Sequence, residues 1–343
     1  MAQDHGTKAP AGRVTILDVA RAAGVSKSSV SRFLDERLPK SQSETAKRVR
    51  KVAEELGYVR DVSAASLRRG KTGMIGVIVP RLTDTVMAML YEALQRAAAR
   101  RQHFAIVATT DDTPEAARIA AETLLQRGVD GLVLSTARTE DPLIAELAQR
   151  GVAYVLAVRT DGKSMSSIGD DEMGGYLATR HLIDLGHRKI GLIGGPSYAS
   201  SALGRLAGYK RALTEAGLPV DPALMVEASF SITSGADAAR TLLAQNEGLT
   251  GLFAVNDNTA IGALSAIHEA GLSVPEDISL VGYNDIPITA KLPVPLTTVH
   301  VPFDQIATEA LEILLADEPD TDNIRKAMPT LIPRKSTRAI KQA

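Results

Sequence analysis

Two hydrophobic periods follow one another along the chain. Up to about residue 58 the apolar positions recur at helical spacing in short runs. VTILDVARAAGVSKSSVSRFL predicts two short helices separated by a tight turn, the first opened by Thr15 and Asp18 at capping-box spacing and the second by Ser26 behind Val25. Ala20, Gly24 and Val30 then supply a small residue where the helices cross, a glycine for the sharp turn and an apolar residue holding the second helix on the first. SQSETAKRVRKVAEELGY predicts a third helix, capped by Ser41 with Glu44 and ended by Gly57. Val49, Val52, Ala53 and Leu56 share the face that closes a small three-helix core.

From Met74 the period changes. The strand-like runs MIGVIV, FAIVAT, GLVLST and AYVLAV alternate with helical ones such as TVMAMLYEALQRAAARR, and a second series, KIGLIGG, TGLFAV and ISLVGY, alternates in the same way. This pattern predicts parallel α/β structure in two successive lobes, with a ligand cleft at the carboxyl ends of the strands. Residues 59–70, VRDVSAASLRRG, carry no long apolar period and read by themselves as a flexible linker, too short for a stable isolated helix. The predicted organisation is a disordered tail over 1–13, a helix-turn-helix headpiece over 14–58, a hinge over 59–73 and a two-lobed domain over 74–338. Lobe 1 is expected at about 74–168 and 297–318, and lobe 2 at about 170–290 and 329–338. The chain would cross between them near Gly169, after Ile288 and before Thr330.

Charge sharpens this division. The whole chain of 343 residues is nearly neutral, with 39 Lys and Arg against 40 Asp and Glu. Residues 1–73, however, hold 15 basic and 8 acidic residues, a net +7, and the remainder is net −8. Such asymmetry points to a nucleic acid or another anionic partner for the basic end. Lys27, Ser28, Ser29 and Arg32 lie early on the outer face of the second helix, where side chains reach base edges in a major groove. Thr15 and Ser26, at the two helix starts, join this DNA-facing set. Lys47, Arg48, Arg50 and Lys51 either touch phosphates or form a solvated face.

Composition narrows the chemistry. Cysteine is absent, which excludes disulfides, thiolate nucleophiles and Cys-based metal sites. No apolar run reaches a membrane span and no secretory h-region is present, so a cytoplasmic location is expected. IGLIGGP lacks the full dinucleotide-binding spacing, the six histidines form no metal-binding pattern, and no nucleophile elbow occurs. No catalytic residue, cofactor or metal is expected. A transport receptor and a carbohydrate enzyme are the competing readings. The first would carry a secretory signal and no basic headpiece, and the second an acid–base or nucleophile arrangement.

The motifs AGVSKSSVSRFL, ETAKRVRKVAEELGY, SLRRGKTGMIGVIVP, GRLAGY, LFAVND, VPEDISLVGYND and LTTVHVP together resemble the lactose-repressor (LacI/GalR) family of regulators over roughly residues 14–338. The resemblance implies an all-α helix-turn-helix headpiece plus an α/β two-lobed periplasmic-binding-protein-like effector domain. It implies a homodimer on double-stranded pseudo-palindromic operator DNA, controlled by a small effector and usually repressing. The absence of an appended leucine heptad points to a dimer rather than a linked tetramer. By the same resemblance Lys27 and Ser28 read bases, Ser29, Ser31 and Arg32 contact bases or backbone, and Leu67 of the hinge wedges into the minor groove. Arg60, Asp61 and Ala65 depart from the usual hinge residues, proline, asparagine and arginine.

In the effector domain Arg205 falls where the family holds effector hydroxyls or carboxylates. Asn256, Asp257, Asn284 and Asp285 end strands at the cleft rim. Phe230 falls at an aromatic platform, with core packing as its alternative role. The family's TNPFF is replaced by TDTVM, so Asp84, Val86 and Met87 stand in for an amide and two rings. With aromatic residues at only 3%, a sugar or sugar acid is favoured over a stacked planar effector.

Overall fold

The computed structural model describes residues 14–35, 39–58, 72–316 and 323–340. Leu67, Arg60, Asp61 and Ala65 lie outside the described residues. The chain divides into two units, Met1–Thr72 and Gly73–Ala343.

In the first unit, three helices enclose one small core: α1 (Ile16–Ala23), α2 (Lys27–Phe33) and α3 (Glu44–Glu55). Thr15 and Asp18 form the expected capping box, and Gly24 turns the chain with φ +64, in the left-handed region open to glycine at little cost. Val19, Ala20, Ala23, Val30, Val49 and Ala53 form the core. Two expectations for α3 need correction. Its N-cap is Ser43, whose Oγ accepts from Ala46 N–H at 3.3 Å, because only the residue directly before Glu44 reaches the first-turn amides. Ser41 instead supports Ser43. Leu56 lies past the last helical residue and is exposed, while Gly57 takes the left-handed turn beyond it.

The second unit has two six-stranded sheets. The first contains β1 (Met74–Val79), β2 (Phe104–Thr109), β3 (Gly131–Leu134), β4 (Tyr154–Ala157), β5 (Ser166–Gly169) and β11 (Ile324–Ala327), all parallel, in the order β11-β5-β4-β3-β1-β2. The second contains β6 (Ile190–Gly194), β7 (Met225–Glu227), β8 (Gly251–Ala254), β9 (Ser279–Asn284), β10 (Thr297–His300) and β12 (Thr330–Ile332), in the order β12-β10-β9-β8-β6-β7, with only β12 antiparallel. The central strands are buried on both faces, which is why they read as continuous apolar runs. Each Val, Ile or Leu so buried contributes about 1.5–3 kcal/mol.

Helices cover both faces of each sheet. In lobe 1, α4 (Thr85–Arg100) and α11 (Phe303–Leu314) share one core, while α5 (Pro114–Gln126) and α6 (Pro142–Gln149) supply the other. In lobe 2, α7 (Asp171–Asp184) pairs with α8 (Ser200–Glu215), and α9 (Ile232–Gln245) with α10 (Asp257–Glu269). Glycines permit both pairings: a Cβ on Gly208 would lie 2.0 Å from the Glu172 carbonyl, and one on Gly262 2.0 Å from that of Ile232.

The chain crosses between lobes at 169–171, 300–303 and 327–330, the second crossing later than expected. Residues 297–300, expected in lobe 1, belong to lobe 2, because β10 pairs with β9 and β12 and completes the second sheet. Lobe 1 resumes only with α11, and it also includes β11.

Candidate functional site

The headpiece presents the exposed side chains of Ser26, Lys27, Ser28 and Arg32, with Ser29 and Ser31 half-buried beside them. Ser26 caps α2 by accepting from Ser29 N–H at 3.2 Å, and its hydroxyl also meets those of Ser28 and Ser29 at 2.8 and 3.0 Å. This local web orients short polar groups around the helix start. The Arg32 guanidinium lies 5.1 Å from the Phe33 ring. Thr15 is largely committed to its cap: its N–H and hydroxyl both donate to Asp18, at 2.9 and 2.6 Å, and hold that carboxyl below its ordinary value. On α3, Lys47 and Lys51 pair with Glu44 and Glu55, and Arg50 donates to the Ser41 carbonyl.

In the second unit a cavity of about 360 Å³ opens between the lobes. Its lining includes Asp84, Arg205, Phe230, Asn256 and Asn284 of the expected set. Asp84 caps α4, accepting from Val86 N–H at 3.1 Å, and also accepts from Asn258 of lobe 2 at 3.2 Å; burial raises its carboxyl pKa. Arg205 is buried, with Nε 2.8 Å from Asp171, Nη1 2.7 Å from the Val255 carbonyl and its guanidinium 3.8 Å from the Tyr283 ring. Burial pushes Asp171 up while Arg205 pulls against it. With two nitrogens so engaged, the Arg205 fork is held rigidly at the cavity wall. Asn256 caps α10 through Thr259 N–H at 2.8 Å and donates to the Phe230 carbonyl at 3.1 Å, tying the platform residue to the helix start. Phe230 serves both of its alternative roles, lining the cavity and packing on Ala199, Ala202 and Val255.

Asp257 and Asp285 are not brought to the cavity. Asp257 is fully buried behind it, accepting from Thr298 Oγ1 at 2.6 Å and Ile286 N–H at 2.8 Å, and burial raises its pKa to about 7. Asp285 turns away to Arg334 at 2.6 Å and His300 at 3.2 Å. In each Asn-Asp pair the asparagine faces the cleft and its neighbour points elsewhere: Asn256 is the N-cap and Asp257 the first residue of α10, while Asn284 and Asp285 turn the chain with φ +105 and +57.

The cavity also has residues that the sequence patterns did not indicate: Asp112, Arg159, Tyr198, Ser201 and Asn258. Arg159 grips Asp112 with two bonds of 2.8 and 3.0 Å, and Tyr198 of lobe 2 donates to the same carboxylate at 2.9 Å. Burial alone would raise the Asp112 pKa; the Arg159 and Tyr198 bonds outweigh it and leave the carboxyl below its ordinary value. Thr160 N–H also donates to Ser200 Oγ at 2.8 Å, so among the described residues three hydrogen bonds join the lobes around the cleft. Aromatic residues closely following strand or turn motifs, such as Tyr198 after IGLIGGPS, were the available signal.

Among the described residues no group of three or more His, Asp or Glu side chains is placed to hold a metal ion, and no helix is long and apolar enough to cross a membrane. Residues 15–61 match the family described as bacterial regulatory proteins, lacI family, and residues 179–337 match the periplasmic binding protein-like domain. The chain is 32% identical over 334 residues to the HTH-type transcriptional repressor PurR of Vibrio atlanticus (strain LGP32), covering 95% of this chain and 99% of that one. It is 34% identical over 305 residues to the ribose operon repressor of Escherichia coli (strain K12), covering 88% and 92%. Among solved structures, the Lac repressor dimer bound to operator and the anti-inducer ONPF superposes with a TM-score of 0.85 at 30% identity, covering 95% of this chain and all of that one. The chain belongs to the LacI family, whose members are sequence-specific DNA-binding repressors controlled by small-molecule effectors.

Proposed function

We propose that this chain is a cytoplasmic, non-enzymatic repressor that binds a pseudo-palindromic operator as a homodimer and releases or tightens its grip when a sugar or sugar acid enters the cleft. The cavity carries the effector reading: it is shared by two lobes and lined by hydroxyl and amide groups, Thr83, Ser201, Ser229, Ser231, Asn256, Asn258 and Asn284, around the fixed fork of Arg205. Such a set supplies alternating donors and acceptors for a polyhydroxy compound, and the volume suits a small ligand. Lys27, Ser28, Ser29, Ser31 and Arg32 serve as the reading surface, with Thr15 and Ser26 placing it, and Leu67 as the minor-groove wedge. Two such surfaces in a dimer would meet half-sites about 34–36 Å apart. Selection of bound sequences from random duplex DNA, with and without a pool of sugars and sugar acids, tests the reading. Recovery of a pseudo-palindrome whose yield changes with a pool member is expected. Failure to enrich any motif at low salt rejects the operator reading, and indifference to the whole pool rejects the effector class.

A further inference from the structure

The proposed function leaves unexplained why a cavity for a small ligand should contain an ion pair at its mouth. Arg159 is buried, and its guanidinium lies 5.8 Å from the Tyr198 ring and 5.4 Å from that of Phe230. Both of its bonds to Asp112 run in the parallel fork geometry with which arginine recognises a planar oxyanion. This is an anion socket, filled by the protein's own carboxylate.

The occupant is less firmly built than the socket. Asp112 sits on the loop between β2 and α5, and both Asp111 and Asp112 hold left-handed backbone conformations, φ +48 and +60, that residues with a Cβ rarely adopt. The loop keeps this conformation while its carboxylate is clasped by Arg159 and Tyr198, and its carbonyl by Arg138 at 2.7 Å. Arg138 in turn stacks on Tyr198 at 3.9 Å. Among the described residues, the Asp112 carboxylate is the one hydrogen-bonded to the Arg159 guanidinium, while Arg138 holds the Asp112 carbonyl and Arg81 lines the same cavity. The mouth therefore keeps cationic capacity if Asp112 withdraws.

We propose that Asp112 is an internal stand-in for an oxyanion carried by the effector, so that an acidic polyhydroxy ligand takes the Arg159 fork and breaks the Asp112–Tyr198 bond between the lobes. The proposal rests on the reading that the cavity takes a small polyhydroxy effector, and names its charge. A neutral sugar leaves the clasp shut; an acid exchanges one oxyanion for another, relaxes the loop and unties this edge of the cleft. Ligand charge then reaches the lobe arrangement through one hydrogen bond from Tyr198.

Titration calorimetry of the full chain and of Asp112→Asn with D-gluconate, D-glucose 6-phosphate and D-glucose tests this. The amide keeps the shape of the side chain and removes its charge. Without the competitor, at least one of the two acids should bind the variant about tenfold or more tighter than the parent, and glucose should change less than about threefold. The acid that responds distinguishes a carboxylate from a phosphate. Asp112→Ser serves the same purpose if the amide variant does not melt cooperatively. Acid affinity that is unchanged or weakened by removing the carboxylate overturns the stand-in role. Glucose binding without acid binding in both proteins also overturns it while leaving the sugar reading intact. Binding of none of these compounds to either protein rejects the effector reading itself.

Discussion

Replacing Arg205 by alanine should cost the second unit about 3–5 kcal/mol, the usual penalty for removing one partner of a buried ion pair. The size follows from what remains behind. Arg205 is 4% exposed and Asp171 is 8% exposed, so truncation leaves a largely desolvated carboxylate without the guanidinium 2.8 Å away. The Val255 carbonyl loses its donor as well, worth about another 1 kcal/mol, and the face of Tyr283 loses a cation. Burial already raises the Asp171 pKa, and without Arg205 the carboxyl should protonate more readily still. The defect should therefore be larger at pH 8 than at pH 5. Urea denaturation of the full chain, followed by far-ultraviolet circular dichroism at both pH values, measures it. Arg205→Ala combined with Asp171→Asn should lose about 2–3 kcal/mol less than the sum of the two single changes, because the amide leaves no charge to strand. A loss below about 1 kcal/mol, or strict additivity, would refute the claim that the pair is a coupled buried ion pair.

Asp257 gives a pH dependence of defined sign. Its folded pKa of about 7 lies above the ordinary 3.8, so its contribution is present below about pH 4 and is lost as pH rises through 7. At most about 4 kcal/mol is involved at 1.36 kcal/mol per unit, and the stability difference between the parent and Asp257→Asn should track this window in denaturation curves. The same comparison cancels the contributions of His181 and His187, whose pKa values burial lowers and whose contributions run the opposite way. Gly208→Ala should force α7 from α8 and cost about 1–3 kcal/mol or more by the same denaturation assay, since its Cβ would meet backbone at 2.0 Å. Arg32→Ala should cost about 1–3 kcal/mol in operator binding and relax preference at one position of each half-site, read by competition with single-base variants.

The lobes were legible because strands such as MIGVIV and GLVL are apolar throughout and are bracketed by helical periods. The boundary at 297 was not, because TTVH reads as a strand without revealing its sheet, and only its pairing with β9 and β12 decides that. A similar local ambiguity hid the α3 cap: both Ser41 and Ser43 have the right chemistry, and reach to the Ala46 amide distinguishes them. In the headpiece, Thr15, Ser26 and Gly24 could be read from spacing because their cap partners lie three or four residues away, and Val30 from the apolar period of its helix.

The cleft was legible only in part. Asn256 and Asn284 stand at a helix start and a strand end that the α/β pattern already locates, and Arg205 stands within α8 in the motif GRLAGY. The facing of each Asn-Asp pair depends on backbone direction, including φ +105 at Asn284, which no residue pattern reveals, so Asp257 and Asp285 lie off the cavity rather than at the expected rim. Asp112, Arg159 and Tyr198 left no local period at all. Their bonds join positions 47 and 86 residues apart and exist only once the loops of both lobes meet.

The most direct test of the account is the affinity of the full chain for its selected duplex, set against a scrambled duplex, with and without saturating effector. The account predicts a selected-site preference of about 10³-fold or more, a shift of about fivefold or more on adding effector, and a loss of about 10³–10⁵ in affinity between 50 and 200 mM salt. Equal binding to both duplexes, a flat salt response, or an affinity blind to a ligand shown to occupy the cleft would contradict it.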